Sequence, residues 1–566
     1  MRFTHALWTT GLLLSGRGAK AAADSSPNVR QIAIIGAGAA GASTAYHLRQ
    51  FADDDGVALN ITLFETTDHI GGRTRTVNVY GDPAQPVELG ASIFVEINHI
   101  LWNATQRFDL PLQSPGFDGL LGVWDGERFV YTQDDSSANW WNLVKLFWKY
   151  GTAPYRANKL MHATVDRFLN LYNAPYFPFR SLTSRAYELE LTYVTGQTGQ
   201  QFLEQNKVAG PFSHDIIQAS TRVNYASNLV KIHGLDTMVA LAPEGASQVT
   251  GGNWQIFHNM VHASHAAFCA NTSVTNIARV SGTDPSTPKY VLQTKSTTPA
   301  GGAEQRDTKS SDDDGELLRF DDVVIATPFQ FSGIDVADGV LEGAIDAIPY
   351  VKLHVTLFTS PKPLSAAFFR LPPDARVPTT VLTTLAPGDN PSSGAQGAGS
   401  AGFFSISTLA SVVHPDTQNK EYLYKIFSPD KVTAAFLSAL LGADVPDDVT
   451  GGPTARAAEA DEHDGPTEGT ASDSVISWYY PHVFHSYPRA LPRVTFQDPV
   501  LGDGIYYTSG IESFISTMET SALMGRNVAR LIVDDMQGLT TGGDVVIPPS
   551  AEKMTSKETE DVMGEL

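Results

Sequence analysis

A glycine-rich turn between two β-type segments is the feature that most restricts how this chain can fold. The apolar run 31–35 leads directly into GAGAAG at residues 36–41, a small-residue helical pattern follows, and a second β-type run ends at Glu65. Glycines at this spacing let the backbone turn tightly and approach a pyrophosphate, whose charge then lies at the helix N-terminus. An acid about two dozen residues later can bind a ribose hydroxyl. We therefore expect a Rossmann-like unit in which Gly36, Gly38, Gly41 and Glu65 contact a dinucleotide.

A second glycine pair indicates which dinucleotide is bound. Gly71, Gly72 and Arg73 follow the acid, an extension seen in FAD enzymes that resemble amine oxidases. The two glycines let the chain pass close to the pyrophosphate, and the planar fork of Arg73 can pair with it. The glycines could instead merely close a hairpin. The pattern favours FAD as the cofactor.

Two later segments complete the cofactor-binding domain in this interpretation. One contains Val274, in the alternating strand pattern 272–280, and the buried-strand pattern 320–328. The other, GIYYTSGIE at residues 504–512, is followed by a long helical pattern. Its Gly510, Ile511 and Glu512 are expected to approach the flavin edge that gains negative charge on reduction.

The predicted fold class is α/β, with a discontinuous Rossmann-like FAD-binding domain and a mixed helical and antiparallel-sheet substrate domain. The FAD-binding domain is predicted at residues 29–105, 251–330 and 499–540. The substrate domain is predicted at residues 106–250 and 331–498. At 566 residues the chain is long enough for two domains.

Charge and composition exclude some functions. The formal net charge of −22 argues against nucleic acid as a partner, because such partners require a basic face. Much of the acid lies in the segments 297–315, 451–474 and 541–566, whereas 387–400 is rich in Gly and Ser. All four have too few apolar residues to offset chain entropy and are predicted to be disordered.

Residues 1–23 are typical of a secretory signal peptide, with Arg2, a short apolar stretch and small residues at the cleavage site. An uncleaved anchor is the alternative. The secretory route makes the three N-x-S/T sequons at Asn60, Asn103 and Asn271 candidates for glycosylation. We expect a lysosomal, vacuolar or extracellular protein.

An aromatic-rich helical segment lies early in the predicted substrate domain. Trp140, Trp141, Phe147 and Trp148 crowd one stretch that only two lysines interrupt. Such a stretch can be domain core. It can also form an apolar wall for a substrate or a peripheral contact with a membrane.

Three further motifs point to one family: NLVKLFWKYG at 142–151, TRVNY at 221–225 with GGN at 251–253, and YYTSGIESFISTMETSA at 506–522. With these motifs the chain resembles the prenylcysteine oxidase (prenylcysteine lyase) family of fungal type. The resemblance covers most of residues 30–535, with the acidic inserts outside it. The last two motifs are specific, whereas the glycine fingerprint is shared with amine oxidases and desaturases.

The resemblance implies FAD, O₂ as the oxidant and an S-farnesyl- or S-geranylgeranyl-cysteine substrate. The implied chemistry begins with hydride transfer from the prenyl C1 to the flavin, and water then adds to that carbon. Collapse of the adduct releases a prenyl aldehyde and cysteine, and reoxidation gives hydrogen peroxide. This chemistry requires little acid–base machinery, which fits a chain without a Ser-His-Asp spacing, an HExxH metal motif or a cysteine cluster.

Catalytic candidates are few. Lys352 resembles the lysine that holds a water near the flavin in amine oxidases, and His354 lies two residues later on the same strand. Glu96 and His99 follow a turn that should pass the isoalloxazine, where they could handle a proton or bind the cysteine amine. Ser92, in the same stretch, could touch the flavin.

Two rival functions remain open. A secreted flavin amine or amino-acid oxidase would share FAD and peroxide but oxidise a C–N bond. A redox-silent flavoprotein scaffold would have no need of the intact glycine turns, Glu65 or Arg73.

Overall fold

The computed structural model describes residues 29–115, 119–134, 146–208, 210–242, 245–280, 289–297, 317–392, 394–451, 467–468 and 474–539. The predicted leader at 1–23 and tail at 541–566 lie outside the described residues. So do nearly all of 297–315 and most of 451–474. The predictions made for those segments therefore stay predictions.

Strands and helices alternate along the described chain. The strands are β1 (Arg30–Ile35), β2 (Leu59–Phe64), β3 (Thr76–Asn78), β4 (Pro86–Glu88), β5 (Leu112–Gln113), β6 (Leu120–Trp124), β7 (Phe129–Asp134), β8 (Gln248–Val249), β9 (Ala267–Cys269), β10 (Thr272–Arg279), β11 (Tyr290–Ser296), β12 (Leu317–Phe320), β13 (Asp322–Ile325), β14 (Asp335–Val336), β15 (Tyr350–Ser360), β16 (Thr380–Thr383), β17 (Ser405–Val413), β18 (Lys420–Ser428), β19 (Thr467–Glu468), β20 (Trp478–Pro488), β21 (Val500–Gly502) and β22 (Ile505–Tyr507). The α-helices are α1 (Ala39–Asp55), α2 (His99–Arg107), α3 (Ala153–Leu169), α4 (Leu182–Glu188), α5 (Thr192–Thr195), α6 (Gly199–Gln205), α7 (Gln218–Tyr225), α8 (Gly234–Val239), α9 (Trp254–Ser264), α10 (Ala434–Leu441), α11 (Asp447–Gly451) and α12 (Met518–Met536).

A six-stranded sheet carries the glycine turn at its centre. Its order is β21-β22-β13-β1-β2-β9, and every neighbouring pair is parallel except β21 with β22. Ile32, Ala33 and Ile34 are fully buried because both faces of the sheet are covered, which explains the uninterrupted apolar run. All six strands come from the three segments assigned to the FAD-binding domain.

Different layers cover the two faces of this sheet. Ile34 packs into a core with Leu523 of α12, which lies against α1. On the other face, Ala33 packs with Val274 and Leu292 of a four-stranded sheet whose order is β12-β11-β10-β14. The parallel sheet is therefore a buried middle layer, and this positions the glycine turn at its carboxyl edge.

An eight-stranded sheet forms most of the second region. Its order is β19-β20-β15-β18-β17-β16-β6-β7, with antiparallel neighbours apart from the parallel pair β16 and β6. The segment 106–250 contributes β6 and β7 to this sheet and also contains α3 to α8. The α/β fold class with a mixed helical and sheet substrate region is confirmed.

The prediction of disorder for residues 387–400 is wrong for the part that the structure describes. Residues Gly394–Ala401 form a short 3-10 segment in which Ala398 is fully buried. The Asp389 carboxylate accepts hydrogen bonds from the backbone N–H groups of Ala386 and Ser400, each at 2.8 Å. These bonds satisfy the backbone of a segment that has few apolar side chains of its own.

The aromatic segment is only partly described. Trp140 and Trp141 lie outside the described residues, whereas Phe147 and Trp148 are 63% and 84% exposed. The domain-core interpretation is therefore wrong for these two side chains. Within the described residues no helix is both long and apolar enough to cross a bilayer.

Candidate active site

One large cavity lies between the carboxyl edge of the six-stranded sheet and the eight-stranded sheet. Its volume is about 1600 Å³, which exceeds the roughly 300–1,000 Å³ of a pocket for one small molecule. Backbone turns and polar groups line one half. They include Gly36, Gly38, Glu65, Gly71, Gly72, Arg73, Ser92, Val274, Thr327 and Glu512. Apolar side chains dominate the other half, among them Leu121, Phe168, Val223, Leu382, Leu409, Leu423 and Phe427.

The three glycines of the first turn have different roles. Gly36 has φ +103°, and a Cβ there would lie 2.9 Å from the Ala326 carbonyl oxygen. At Gly41 a Cβ would lie 1.9 Å from the Gly36 carbonyl oxygen, so this residue permits close packing of helix and strand. A Cβ on Gly38 would meet nothing closer than the Gly72 Cα, at 3.8 Å. Gly38 therefore borders open space in the cavity, whereas Gly41 does not line the cavity.

The second glycine pair packs against the first turn. The Gly71 N–H donates to the Ala37 carbonyl oxygen at 2.9 Å. Gly72 has φ +58°, and a Cβ on it would lie 3.1 Å from the Gly38 Cα. The two turns thus form one wall of exposed backbone, as close approach to a pyrophosphate requires.

Glu65 stands where β2 ends and lines the cavity. One carboxylate oxygen accepts the Ala37 N–H at 2.9 Å, and the other accepts the Thr67 N–H at 3.0 Å. These bonds fix the carboxylate beside the first glycine turn, the position expected of a ribose-binding acid.

Arg73 and Glu512 join two distant parts of the chain. The Arg73 guanidinium pairs with the Glu512 carboxylate at 2.7 Å and donates to the Ser486 carbonyl oxygen at 2.7 Å. Both residues line the cavity, and pairing of Arg73 with a pyrophosphate stays a prediction. Ser92 and Val274 also line the cavity, as a cofactor contact must.

Gly510 and Ile511 do not line the cavity, in contrast to the prediction of direct flavin contact. A Cβ on Gly510 would lie 2.5 Å from the Gln497 carbonyl oxygen, and Ile511 is fully buried. These residues pack the segment that presents Ser509 and Glu512 to the cavity.

All four catalytic candidates lie away from the cavity lining. On β15 it is Leu353 that lines the cavity, and strand alternation turns the flanking Lys352 and His354 to the other face. Glu96 and His99 are exposed, and the His99 ring packs near Tyr172, with 5.3 Å between ring centroids. The structure therefore does not bring these residues to the predicted reaction centre.

Sequence reasoning overlooked several buried charged residues in the cavity wall, among them Glu88 and Lys425. Glu88 Oε1 accepts the Asn253 N–H at 2.6 Å, and among the described residues Oε2 has no hydrogen-bond partner. Burial raises the pKa of Glu88 to about 7. Burial also lowers the pKa of Lys425 to about 8. In the sequence, Lys425 could have been noticed as a lysine that alternates with the apolar residues Leu423 and Phe427 on one face of a strand.

The residues present fit a dinucleotide such as FAD. Gly38 and Gly72 offer open backbone to a pyrophosphate, and Glu65 offers a carboxylate to a ribose. The cavity continues beyond these groups into the apolar half, so there is room for a second molecule. The arrangement can therefore hold a redox cofactor beside an apolar ligand.

Comparison with known proteins identifies relatives over nearly the whole chain. A family model described as "Prenylcysteine lyase" matches residues 133–544, and one described as "NAD(P)-binding Rossmann-like domain" matches residues 34–108. A farnesylcysteine lyase of Arabidopsis thaliana is 26% identical over 89% of this chain and 88% of its own length. Prenylcysteine oxidase 1 of Rattus norvegicus is 26% identical over 93% of each chain.

Solved structures share the fold at low identity. Cyclohexylamine oxidase from Brevibacterium oxydans has a TM-score of 0.51 at 15% identity, covering 90% of this chain and 100% of its own. A triple mutant of putrescine oxidase has a TM-score of 0.50 at 13% identity, covering 89% and 99%. At these identities the likeness shows the fold alone.

Proposed function

Because the chain belongs to the prenylcysteine lyase family, we propose that it is an FAD-dependent thioether oxidase acting on S-prenyl-L-cysteine. With O₂ and water, the substrate is converted into a prenyl aldehyde, free cysteine and hydrogen peroxide. The farnesyl and geranylgeranyl forms are both candidate substrates.

The observation that carries the proposal is one cavity that joins a dinucleotide-binding wall to an apolar wall. When bound, FAD supplies an acceptor for the hydride removed from the prenyl carbon next to sulfur. The chain's own residues position that cofactor through the turns at Gly38 and Gly72 and through Glu65. Side chains such as Phe168, Leu409 and Leu423 contact the prenyl chain and shield it from bulk solvent.

Glu88 supplies the acid–base group that the addition of water requires. Its pKa is raised to about 7 by burial, so the carboxyl can take up and release a proton near neutral pH. Oε2 is the oxygen at which the proton moves, because Oε1 already accepts the Asn253 N–H.

To test the proposal, farnesylcysteine is added to the FAD-loaded protein under nitrogen. Reduction of the flavin is monitored by the loss of its visible absorbance. In air we expect farnesal, cysteine and peroxide in equal amounts. Deuterium at C1 should slow flavin reduction if C–H cleavage limits the rate. If simple amines or amino acids reduce the flavin and farnesylcysteine does not, the protein is an amine or amino-acid oxidase. A folded protein that takes up no FAD would be a scaffold.

The protein is expected to enter the secretory pathway and reach the lysosome, the vacuole or the outside of the cell. The leader pattern at residues 1–23 supports this. Asn60 and Asn103 are exposed and accessible to glycosylation, whereas Asn271 is partly buried. N-terminal sequencing and glycosidase treatment test the proposal, and an unprocessed Met1 without a mobility shift would contradict it.

Peripheral contact with a membrane accompanies this function. Phe147, Trp148 and Tyr155 are 63%, 84% and 73% exposed, and such side chains favour the interface of a bilayer. Co-sedimentation with phosphatidylcholine vesicles should fall in the double variant Phe147→Ser, Trp148→Ser. Equal sedimentation of the variant and the wild type would contradict the contact.

A further inference from the structure

Lys425 is a buried cation in the wall that faces the substrate half of the cavity. It lies in the middle of β18, where Leu423, Lys425 and Phe427 alternate into the cavity. Its Nζ donates to the Glu88 carbonyl oxygen at 2.8 Å and to the Ser92 hydroxyl at 3.1 Å. Both acceptors are neutral atoms.

A buried ammonium group without a carboxylate partner is unusual, because burial in low dielectric disfavours the charged form. Among the described residues Lys425 forms no ion pair within 4.0 Å. Burial lowers the pKa of Lys425, and the nearby Glu88 carboxylate, which forms no ion pair with it, offsets only part of this shift. An anion entering the cavity would add the negative charge that Glu88 does not fully provide.

Lys425 also begins a polar row across the sheet. Ser407 on β17 is its Cα partner, and Thr380 on β16 is the partner of Ser407. All three line the cavity. The next row toward one end of the sheet places Phe427 beside Ser405 and Leu382, so the polar row borders apolar surface.

We propose that Lys425, flanked by Ser407 and Thr380, binds the α-carboxylate of the cysteine part of the substrate. This inference rests on the proposed function, since it assigns a binding site for one end of that substrate. Two neighbouring hydroxyls can donate to a carboxylate that the ammonium group neutralises. The apolar surface beside the row receives the start of the prenyl chain. Lys425 is then a specificity-determining residue that selects a free amino acid over its esters.

The experiment compares S-farnesylcysteine with its methyl ester, which lacks the negative charge. The wild type should have the lower KM for the acid. Lys425→Met should raise the KM for the acid on the order of 10- to 100-fold, the range expected when a charged hydrogen bond is lost. Because the Lys425 charge also lowers the pKa of Glu88, each protein is measured at its own pH optimum, where the KM for the ester and kcat for both substrates should change little. Lys352→Met, at an exposed position on the neighbouring strand β15, is the matched control and should keep the wild-type preference.

A binding measurement separates this inference from the proposed reaction. Titration calorimetry with S-dodecylcysteine and its methyl ester, whose saturated chain lacks the allylic C–H bond, requires no turnover. Wild-type protein that binds the acid more tightly, together with a Lys425→Met variant that does not, supports the assignment even if farnesylcysteine is not oxidised. FAD content and the unfolding midpoint report whether Lys425→Met folds. If it does not fold, Ser407→Ala takes its place and should reduce the preference for the acid by a smaller amount.

Two results would overturn the assignment. One is an unchanged preference for the acid in Lys425→Met. The other is an equal fall in kcat for acid and ester, which would place Lys425 at the reaction centre instead of at the carboxylate.

Discussion

Gly38 precedes α1 and Gly41 lies in its first turn, and the two glycines face different surroundings. A side chain at Gly38 would project into the open cavity, whereas a Cβ on Gly41 would overlap the Gly36 carbonyl oxygen. Sequence spacing treats the two as parts of one fingerprint. The structure assigns cofactor access to the first and helix–strand packing to the second.

The matched substitutions Gly38→Ala and Gly41→Ala should therefore fail in different ways. Gly38→Ala should weaken FAD binding at least about tenfold while lowering the stability of the FAD-free protein by less than about 1 kcal/mol. Gly41→Ala should destabilise the FAD-free protein by roughly 3 kcal/mol, the upper part of the range for overpacking. FAD titration and denaturation of both FAD-free variants test this. Equal losses of stability would contradict the division of roles.

The position of a functional side chain could be predicted where it depends only on neighbouring residues in the sequence. Glu65 could be placed because a strand end determines its position. Lys352 was misplaced because a strand pattern leaves open which of its two faces meets the cavity. The strand pattern around Lys425 offered a signal, but it could not show what the side chain contacts, since its neighbours Glu88 and Ser92 are more than 300 residues away in the chain.

At the scale of elements, Arg222 shows how a polar segment becomes ordered. Its guanidinium is fully buried and donates to the Gly397, Ala398 and Phe403 carbonyl oxygens at 2.7, 2.8 and 3.2 Å. The Gly/Ser-rich composition of 387–400 predicts disorder only if the segment must stabilise itself. Composition cannot reveal that a side chain on α7, more than 170 residues earlier, satisfies its backbone.

Arg222→Met should release this segment. The lost hydrogen bonds leave buried carbonyl groups unsatisfied, so we expect a destabilisation of about 2 kcal/mol or more. Limited proteolysis should show new cleavage between residues 386 and 403. Arg128→Met, at a side chain that is 77% exposed, is the control and should leave the digestion pattern unchanged. Protection of this segment in the Arg222 variant would contradict its role as the anchor.

At the scale of the whole molecule, long-range contacts bring the three cofactor-domain pieces together. The apolar strand patterns could predict the pieces because a buried parallel strand has a local signature. The order of the eight-stranded sheet could not be predicted, since β16 pairs with β6 across more than 250 residues. Glu519 is one link of this kind. It lies in the first turn of α12 and accepts the N–H groups of Ile100 and Leu101 at the start of α2, at 2.9 and 3.0 Å.

Buried titratable groups make global stability depend on pH in opposing ways. Burial raises the pKa of Glu519 to about 7, so between about pH 4.5 and 7 the folded state holds a proton that the unfolded state has released. Stability from this group is fully present below pH 4.5 and is lost as the pH rises through 7. Burial lowers the pKa of His47 and His233 to about 4, so their contribution falls as the pH drops from 6.5 toward 4. The pH profile of the wild type alone therefore cannot isolate Glu519.

The difference between the wild type and Glu519→Gln isolates it, since glutamine cannot titrate. The free energy of unfolding of the wild type, minus that of the variant, should fall by about 1–3 kcal/mol from pH 5.0 to pH 7.5. Urea denaturation of the FAD-loaded proteins at three pH values measures this difference. Glu204→Gln, at an exposed position on α6, controls for the change in net charge. A difference that rises with pH would mean that the hydrogen bonds from Ile100, Leu101 and Tyr172 outweigh burial. The carboxylate would then link α12 and α2 in its charged form.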